Sequence, residues 1–404
     1  MNAVARPSQV HPAAAAATLL VPSLWLLALA NVFDMGGGFG VKYVSYVVVA
    51  AVLALRWSDY SISPLRLAVP LLLLVIWPLV AVAVGLARGA DAGDAIGEAT
   101  PFLPGVLAFL LIQGAPGRSL LDVVMDSIAL LAVATIGLFM LLLVAPGSAP
   151  ATAALALLGD EAHGFFGVRT LGPVSVPNVY FKATLFMVPA FAWFLFRHRY
   201  LKAALCALGL VLAFSRAGVA LVAVLGAFFL LTGSLRQQLL AGLLIAAVGL
   251  LLARHGELLQ LAEYGARLQD ALLGRDLSAQ ARIGHLGSLA ELLNRDAWSL
   301  WLGHGAGTAF YSAGTGAWVT FIELDHVDAI RQFGLAWFAV FTMLVGFVGH
   351  RVYRAGPDGR AAAIALGAAF VASGTNPVLI NPLFMILLAA LAHYGDNADA
   401  DRAD

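Results

Sequence analysis

The chain has 404 residues, 61% hydrophobic and 11% charged, with a formal net charge of zero and a mean hydropathy of +0.90. Soluble domains carry about 25% charged residues, so most of this chain faces something other than water. A neutral balance gives nucleic acid no electrostatic footing, and the single cysteine, Cys206, excludes an intrachain disulfide and a thiolate metal cluster.

About twelve apolar segments follow one another, at 14–32, 41–55, 67–87, 101–113, 121–145, 179–196, 201–213, 217–232, 237–253, 334–349, 361–373 and 378–393. The environment they imply is a bilayer, whose core about 20 helical residues cross. The fold class is an all-α polytopic membrane protein, read as one integral domain over 1–404. The run from Ala13 to Ala30 is a first span rather than a signal peptide, because no A-x-A-like site ends it. Segments 101–113, 201–213 and 361–373 are short for a full crossing.

Short-loop cations set the orientation. With the N-terminus inside, the cytoplasmic side collects Arg6, Arg56, Arg66, Arg118, Arg197, Arg199, Lys202, Arg236, Arg351, Arg354, Arg360 and Arg402, and both termini are cytoplasmic. Two long loops, 146–178 and 254–333, are then external, the larger lying between the ninth and tenth helices. In the second, "GELLQLAEYGARLQDALLG" has the spacing of a helix lying on the membrane surface. "SAQARIGHLGSLAELL" is a second helix, ending near Asn294–Asp296. The acidic tail at 395–404 is expected to be disordered and cytoplasmic.

Candidate chemistry lies on the external side. Arg216, in "AFSRAGVALV", is wedged between two spans, where an ionisable group is costly and marks a function by default. The plainer reading is an arginine that snorkels from a helix end. Arg275 and Arg282, seven apart, share a helical face with His285 beyond them. Such a row suits a diphosphate, because Arg offers its oxygens a planar fork of donors; otherwise it is a solvated face. Arg169 and Lys182 flank "TLGPVSVPNVYF", whose Pro173 and Pro177 set an extended or turning path. They extend a binding surface or, for Lys182, anchor a helix end.

The stretch "FIELDHVDAIRQFGL", 321–335, concentrates Glu323, Asp325, His326, Asp328 and Arg331 before an apolar run. Helical spacing puts Glu323 and His326 on one face, and a neutral imidazole beside a carboxylate can act as a general base toward a hydroxyl. Acids at a helix start also favour its dipole, which explains Asp325 and Asp328 but not His326 or Arg331. "GHGAGTAF", 303–310, has glycines but no preceding strand, and is read as a flexible turn. Asp34, Asp91, Asp94 and Glu98 could ligate a hard divalent cation or simply form turns.

In order and sidedness, these features resemble the O-antigen ligase and polymerase superfamily. The likeness rests on the twelve-span layout, the large external loop, the arginine in "FSRAG", the run "ARIGHLGSLAELLNRDAWSLWLGHGAGTAF", and a His shortly before "FGLAWF". It covers about residues 165–350. The resemblance implies a membrane-embedded GT-C glycosyltransferase of the bacterial inner membrane with a periplasmic active site. It would be inverting and would need neither metal nor cofactor. Its partners would be a glycan on undecaprenyl diphosphate and an acceptor glycan, a lipid-linked repeat or lipid A–core. Carried over by position, Arg216 and Arg282 bind the diphosphate and His326 deprotonates or orients the acceptor hydroxyl. Arg169, Arg275, Glu323 and Arg331 are supporting candidates. Val327 follows His326 where the ligase pattern has Asn, which leans the reading toward a polymerase of O-antigen or exopolysaccharide repeats. The alternatives are an O-antigen ligase and a lipid-linked glycan transporter or flippase.

Overall fold

A computed structural model describes residues 12–55, 64–113, 117–159, 164–171, 174–234, 238 and 277–403. They are mostly α-helical, with two small antiparallel hairpins. Among the described residues, four helices are long and apolar enough to cross a bilayer: Leu67–Ala87, Ala92–Ile112, Leu120–Val144 and Asp325–Tyr353. Shorter apolar helices run over Leu19–Phe33, Val41–Leu55, Ala149–Leu158, Thr184–Phe196, Tyr200–Leu212, Arg216–Thr232 and Pro382–Gly395. The segment expected at 237–253 and the surface helix expected in 256–274 lie outside the described residues, apart from position 238.

Several expected boundaries move for local reasons. The segment at 101–113 is not short: its helix begins at Ala92, where the Asp91 carboxylate accepts the backbone N–H groups of Gly93 and Asp94. A 3-10 turn at Thr100–Phe102 follows, where Pro101 and Pro104 remove backbone donors, and helix then resumes to Ile112. The segment placed at 179–196 is strand to Phe181 and helix only from Met187, after a 3-10 turn. The tail expected to be disordered continues the Pro382–Ala403 helix, which extends from a buried stretch through helix-favouring alanines.

Two helices form the centre. Met187–Phe196 is buried at every position from Met187 to Phe194, and Leu383–Leu391 is buried throughout. A helix that is apolar all round belongs inside a bundle. The surrounding helices turn large apolar side chains outward, Met343 at 64% and Leu231 at 81% exposure among them. Apolar outer faces on this scale fit lipid rather than water.

Two interruptions in the bundle brace each other. The first is a π-helical turn at Leu72–Ile76, in which the Trp77 N–H donates to the Leu72 carbonyl. In that register the Leu73 carbonyl faces Pro78, which has no N–H to give. It accepts Trp337 Nε1 instead, at 3.0 Å. The second lies in Asp325–Tyr353, where Gly334 leaves helical geometry (φ 89°, ψ 159°). The Phe333 carbonyl beside this break accepts Trp77 Nε1 at 2.8 Å. Each interruption therefore has a carbonyl capped by an indole from the other helix.

Ion pairs gather at one end of the bundle. Asp122 accepts from Arg197 (2.6 Å) and Arg199 (3.1 Å), Lys202 pairs with Asp126 (2.6 Å), and Arg197 reaches Asp358 (3.2 Å). At the opposite end stand Arg88, the 303–310 loop, the start of the Asp325 helix and the 373–381 connection.

Candidate functional site

The charged stretch at 321–335 divides into two groups. Leu324 is the N-cap and the helix starts at Asp325, so Glu323 precedes it and does not share a helical face with His326. The acids do more than complement a helix dipole. The buried Asp325 carboxylate accepts the backbone N–H groups of Leu379 and Ile380 (3.1 Å to the latter), fixing the turn before the central helix. Asp328 accepts Arg331 Nε at 2.6 Å and Gln332 Nε2 at 2.8 Å. Gln332 also donates to Glu98 at 3.1 Å, so that acid bonds inside the bundle instead of standing in a loop.

Arg331 is fully buried. Its remaining donors reach the Thr308 carbonyl (2.7 Å) and the Thr320 carbonyl (2.6 Å), and its guanidinium lies over Phe310. It ties the 308–320 segment to the helix. The supporting role in ligand binding expected from sequence therefore competes with a structural one that already uses its fork of donors.

His326 is half-buried and held on three sides. Its ring packs against Phe370 (centroids 4.6 Å apart) and Phe338 (5.7 Å). Its Nε2 lies 2.5 Å from Ser373 Oγ, and the same hydroxyl donates to the Phe370 carbonyl at 2.5 Å. With its one proton on the Phe370 carbonyl, the serine accepts from His326 Nε2–H. In that tautomer, which the geometry permits, the neutral imidazole carries its lone pair on Nδ1, the nitrogen a general base uses. That edge faces Gly374, where an added Cβ would stand 3.8 Å away.

Arg282 arrives from the Leu277–Asn294 helix. Its Nη2 donates to Glu323 at 2.9 Å and approaches the Thr375 carbonyl at 3.4 Å, while its buried Nε has no hydrogen-bond partner among the described residues. The helix is seated on the Phe310–Ser312/Ala317–Val319 hairpin. His285 Nδ1 lies 2.5 Å from Ser312 Oγ, and the Ala313 N–H donates to Ser288 Oγ. A Cβ on Gly284 would stand 2.4 Å from Gly314 Cα, a backbone approach that glycine alone permits. His285, weighed between a ligand-facing row and a solvated face, is on neither: it is buried, desolvation lowers its pKa, and it braces this hairpin.

Tyr180 joins the group from the longer hairpin, in which Gly164–Leu171 pairs with Val174–Phe181. Burial, and then the nearby Glu323 carboxylate, push its phenol up to about 12. Arg169 pairs with Val176 in this hairpin, which agrees with the extended path read at Pro177. The Arg169 side chain and the whole of Arg275 lie outside the described residues.

Arg216 opens its helix directly after Ser215, whose hydroxyl accepts the Gly218 N–H. It is exposed. The Arg197–Asp358 pair sets the end of the Met187 helix beside the start of the Pro357–Ala372 helix, so these two are antiparallel. The reversal at 197–199 then sends the Tyr200–Leu212 helix back to the end where Ala372 stops. Arg216 is therefore on the same end of the bundle as Ser373 and Thr375.

The "GHGAG" segment is no flexible turn. Gly303, Gly305 and Gly307 all have positive φ. A Cβ on them would stand 2.3 Å from the Gln332 carbonyl, 2.4 Å from Gly85 N and 2.5 Å from Ala95 N respectively. The Ala306 N–H donates to the Ala81 carbonyl at 2.9 Å, so the segment threads between spans. Arg88 anchors its entrance, donating to His304 Nδ1 (2.6 Å), Ser299 Oγ (2.9 Å) and Asp296 (3.4 Å). Burial and then the Arg88 charge hold the His304 imidazole down, at about 4. Of the acids weighed as metal ligands, Asp91 caps a helix, and Asp34 accepts the Phe39 and Lys42 N–H groups.

Ser373, Thr375 and Tyr180 are the residues that sequence reasoning missed. "SGTN" after an apolar run signals a turn, but nothing in it announces a histidine partner 47 positions away. Comparison of the chain with protein-family models and with curated proteins gives no match.

Proposed function

We propose that the chain is a membrane glycosyltransferase that moves a glycan from an undecaprenyl-diphosphate donor to a sugar hydroxyl, at the periplasmic face of a bacterial inner membrane. The preferred subclass is a polymerase of O-antigen or exopolysaccharide repeats, and the full membrane complement is about twelve spans. The observation that carries this reading is the convergence of two residues, 44 apart in sequence, on one short connection. His326 is fixed through Ser373 and Arg282 through Thr375. One offers a lone pair on Nδ1, and the other a guanidinium with a buried, unpartnered Nε.

In this mechanism the acceptor hydroxyl oxygen attacks the anomeric carbon from the side opposite the diphosphate. The new C–O bond forms as the bond to the diphosphate oxygen breaks, and configuration inverts. The hydroxyl proton passes to His326 Nδ1, and Ser373 steadies the imidazolium through Nε2–H. Arg282, with Arg216 from the same end, takes the charge that grows on the leaving diphosphate. The leaving group is already good, so positioning and charge stabilisation suffice. Glu323 pairs with Arg282 at 2.9 Å, and a diphosphate would displace it.

Arg282→Ala and His326→Ala in the source organism, each followed by surface-glycan analysis, test the assignment. Loss of long glycan in both supports it; normal glycan length and attachment in both overturns it. In a deletion strain, lipid A–core capped with a single repeat identifies a polymerase, whereas accumulated full-length undecaprenyl-linked chains identify a ligase. The break at Gly334 favours a second reading, a lipid-linked glycan transporter, because discontinuous helices line transporter sites. Transferase activity of the purified protein with a defined lipid-linked donor would exclude it.

A further inference from the structure

A cavity of about 370 Å³ lies far from the His326 site, between the Val69–Leu74 region, the end of the Leu103–Ile112 helix, the later half of the Asp325 helix and the central Pro382 helix. Its walls are apolar, Leu74, Phe109, Leu344, Met385 and Leu388 among them, and its two polar lining groups are Gln113 and Arg351. Arg351 is 25 residues along the helix from His326, roughly 38 Å at 1.5 Å per residue.

Three features narrow what this space accepts. Phe347 lines the cavity yet is 58% exposed, and Leu71, Leu72 and Met343 beside it are exposed too. The mouth therefore opens on the outer apolar face of the bundle, and its occupant comes from the hydrocarbon. The volume lies in the small-ligand range of about 300–1,000 Å³, whereas a helix about 10 Å across would fit by less than one turn. Finally, Gln113 follows the last residue of one candidate span and Arg351 stands in the final turn of another, which puts both at headgroup depth. Arg351 lies over the Phe347 ring (5.6 Å), and Arg354 and Arg360 follow at the same end.

We propose that this cavity holds one acyl chain of an anionic diacyl phospholipid, with the lipid phosphate on Arg351 and Gln113. The site is independent of the glycosyltransferase reading. It makes the lipid a structural ligand that fills the gap between the Pro70 region and the central helix, and it draws on the leaflet opposite the His326 end.

The test uses the full-length protein purified in mild detergent and native mass spectrometry, with phosphatidylglycerol, phosphatidylethanolamine of the same chains, and undecaprenyl phosphate as probes. The wild type should retain one phosphatidylglycerol per chain, favoured about fivefold over phosphatidylethanolamine. Arg351→Gln should bring the two to parity, and Ala389→Phe, which fills the cavity, should abolish retention of both. Should Ala389→Phe fail to fold, Arg351→Gln carries the test alone, because it alters a partly exposed position at a helix end. Equal affinity for the two phospholipids in the wild type overturns the proposal, as does an unchanged preference in Arg351→Gln. Displacement of phosphatidylglycerol by equimolar undecaprenyl phosphate overturns it as well.

Discussion

Replacing Arg331 with Met separates the two roles open to this residue. Arg331 is fully buried and bonds Asp328 and the carbonyls of Thr308 and Thr320. Met keeps most of the volume and removes the charge. Breaking a buried pair by deleting one partner costs about 3–5 kcal/mol, because the other charge stays buried. Two stranded carbonyls add about 1–3 kcal/mol each, part of which relaxation recovers. About 5 kcal/mol overall is the working figure, and Gln332, which still donates to Asp328, keeps the total from rising further. Domains of 150–250 residues lose about 2–4 °C of Tm per kcal/mol, and a larger chain sits at the low end. The expected fall in apparent Tm is therefore roughly 10 °C, read by thermal-shift fluorescence and by loss of the monodisperse peak in detergent. The double variant Arg331→Met/Asp328→Leu should lose less than the two single changes summed, because it leaves no unpaired charge. If Arg331→Met keeps its Tm within about 2 °C yet abolishes surface glycan, the strut reasoning is wrong and Arg331 acts on the ligand.

Ser373→Ala should lower glycan transfer about tenfold, the worth of one hydrogen bond to a group that becomes charged, with Tm unchanged. Ser373→Thr, which keeps the hydroxyl, should restore it, and full activity in the alanine variant would remove Ser373 from the site. Gly334→Ala forces a Cβ to 2.2 Å from the Trp301 carbonyl at φ 89° and should cost about 3 kcal/mol or more, seen as aggregation on extraction; a stable variant would mean that the break relaxes. For His304 the folded pKa of about 4 lies below the ordinary 6.5, so between these values the unfolded chain binds more protons. Its contribution to stability is present above pH 6.5 and is lost as pH falls through about 4. His304→Gln should flatten the Tm profile across that acid window, and an unchanged slope would show that another group titrates there.

Some of this was open to reading from residue order alone. "SAQARIGHLGSLAELL" reads as a helix ending near Asn294–Asp296, and the helix runs over Leu277–Asn294; that Asp296 then caps the next helix is a finding of the structure. The start of the apolar run at 334 coincides with the break at Gly334, which a glycine before a long apolar stretch permits. The glycines at 303–307 gave the opposite result. Three glycines in five residues look like slack, yet each lets another backbone approach, and only the neighbours reveal that.

The candidate site divides the same way. Charge scarcity singled out Arg282, His326 and Glu323, because an ionisable group in a largely apolar chain is expensive and must have a use or a partner. Sequence by itself thus determined the largely helical, apolar character of the chain and the residues worth testing. Tertiary structure decided which of them have partners. It set His326 against Ser373, Arg282 against Glu323 and Thr375, and Arg331 inside a closed network. Those pairings depend on which helix ends meet, which hydropathy does not encode; for the fully buried Arg331, burial then makes each bond obligatory once the bundle has closed.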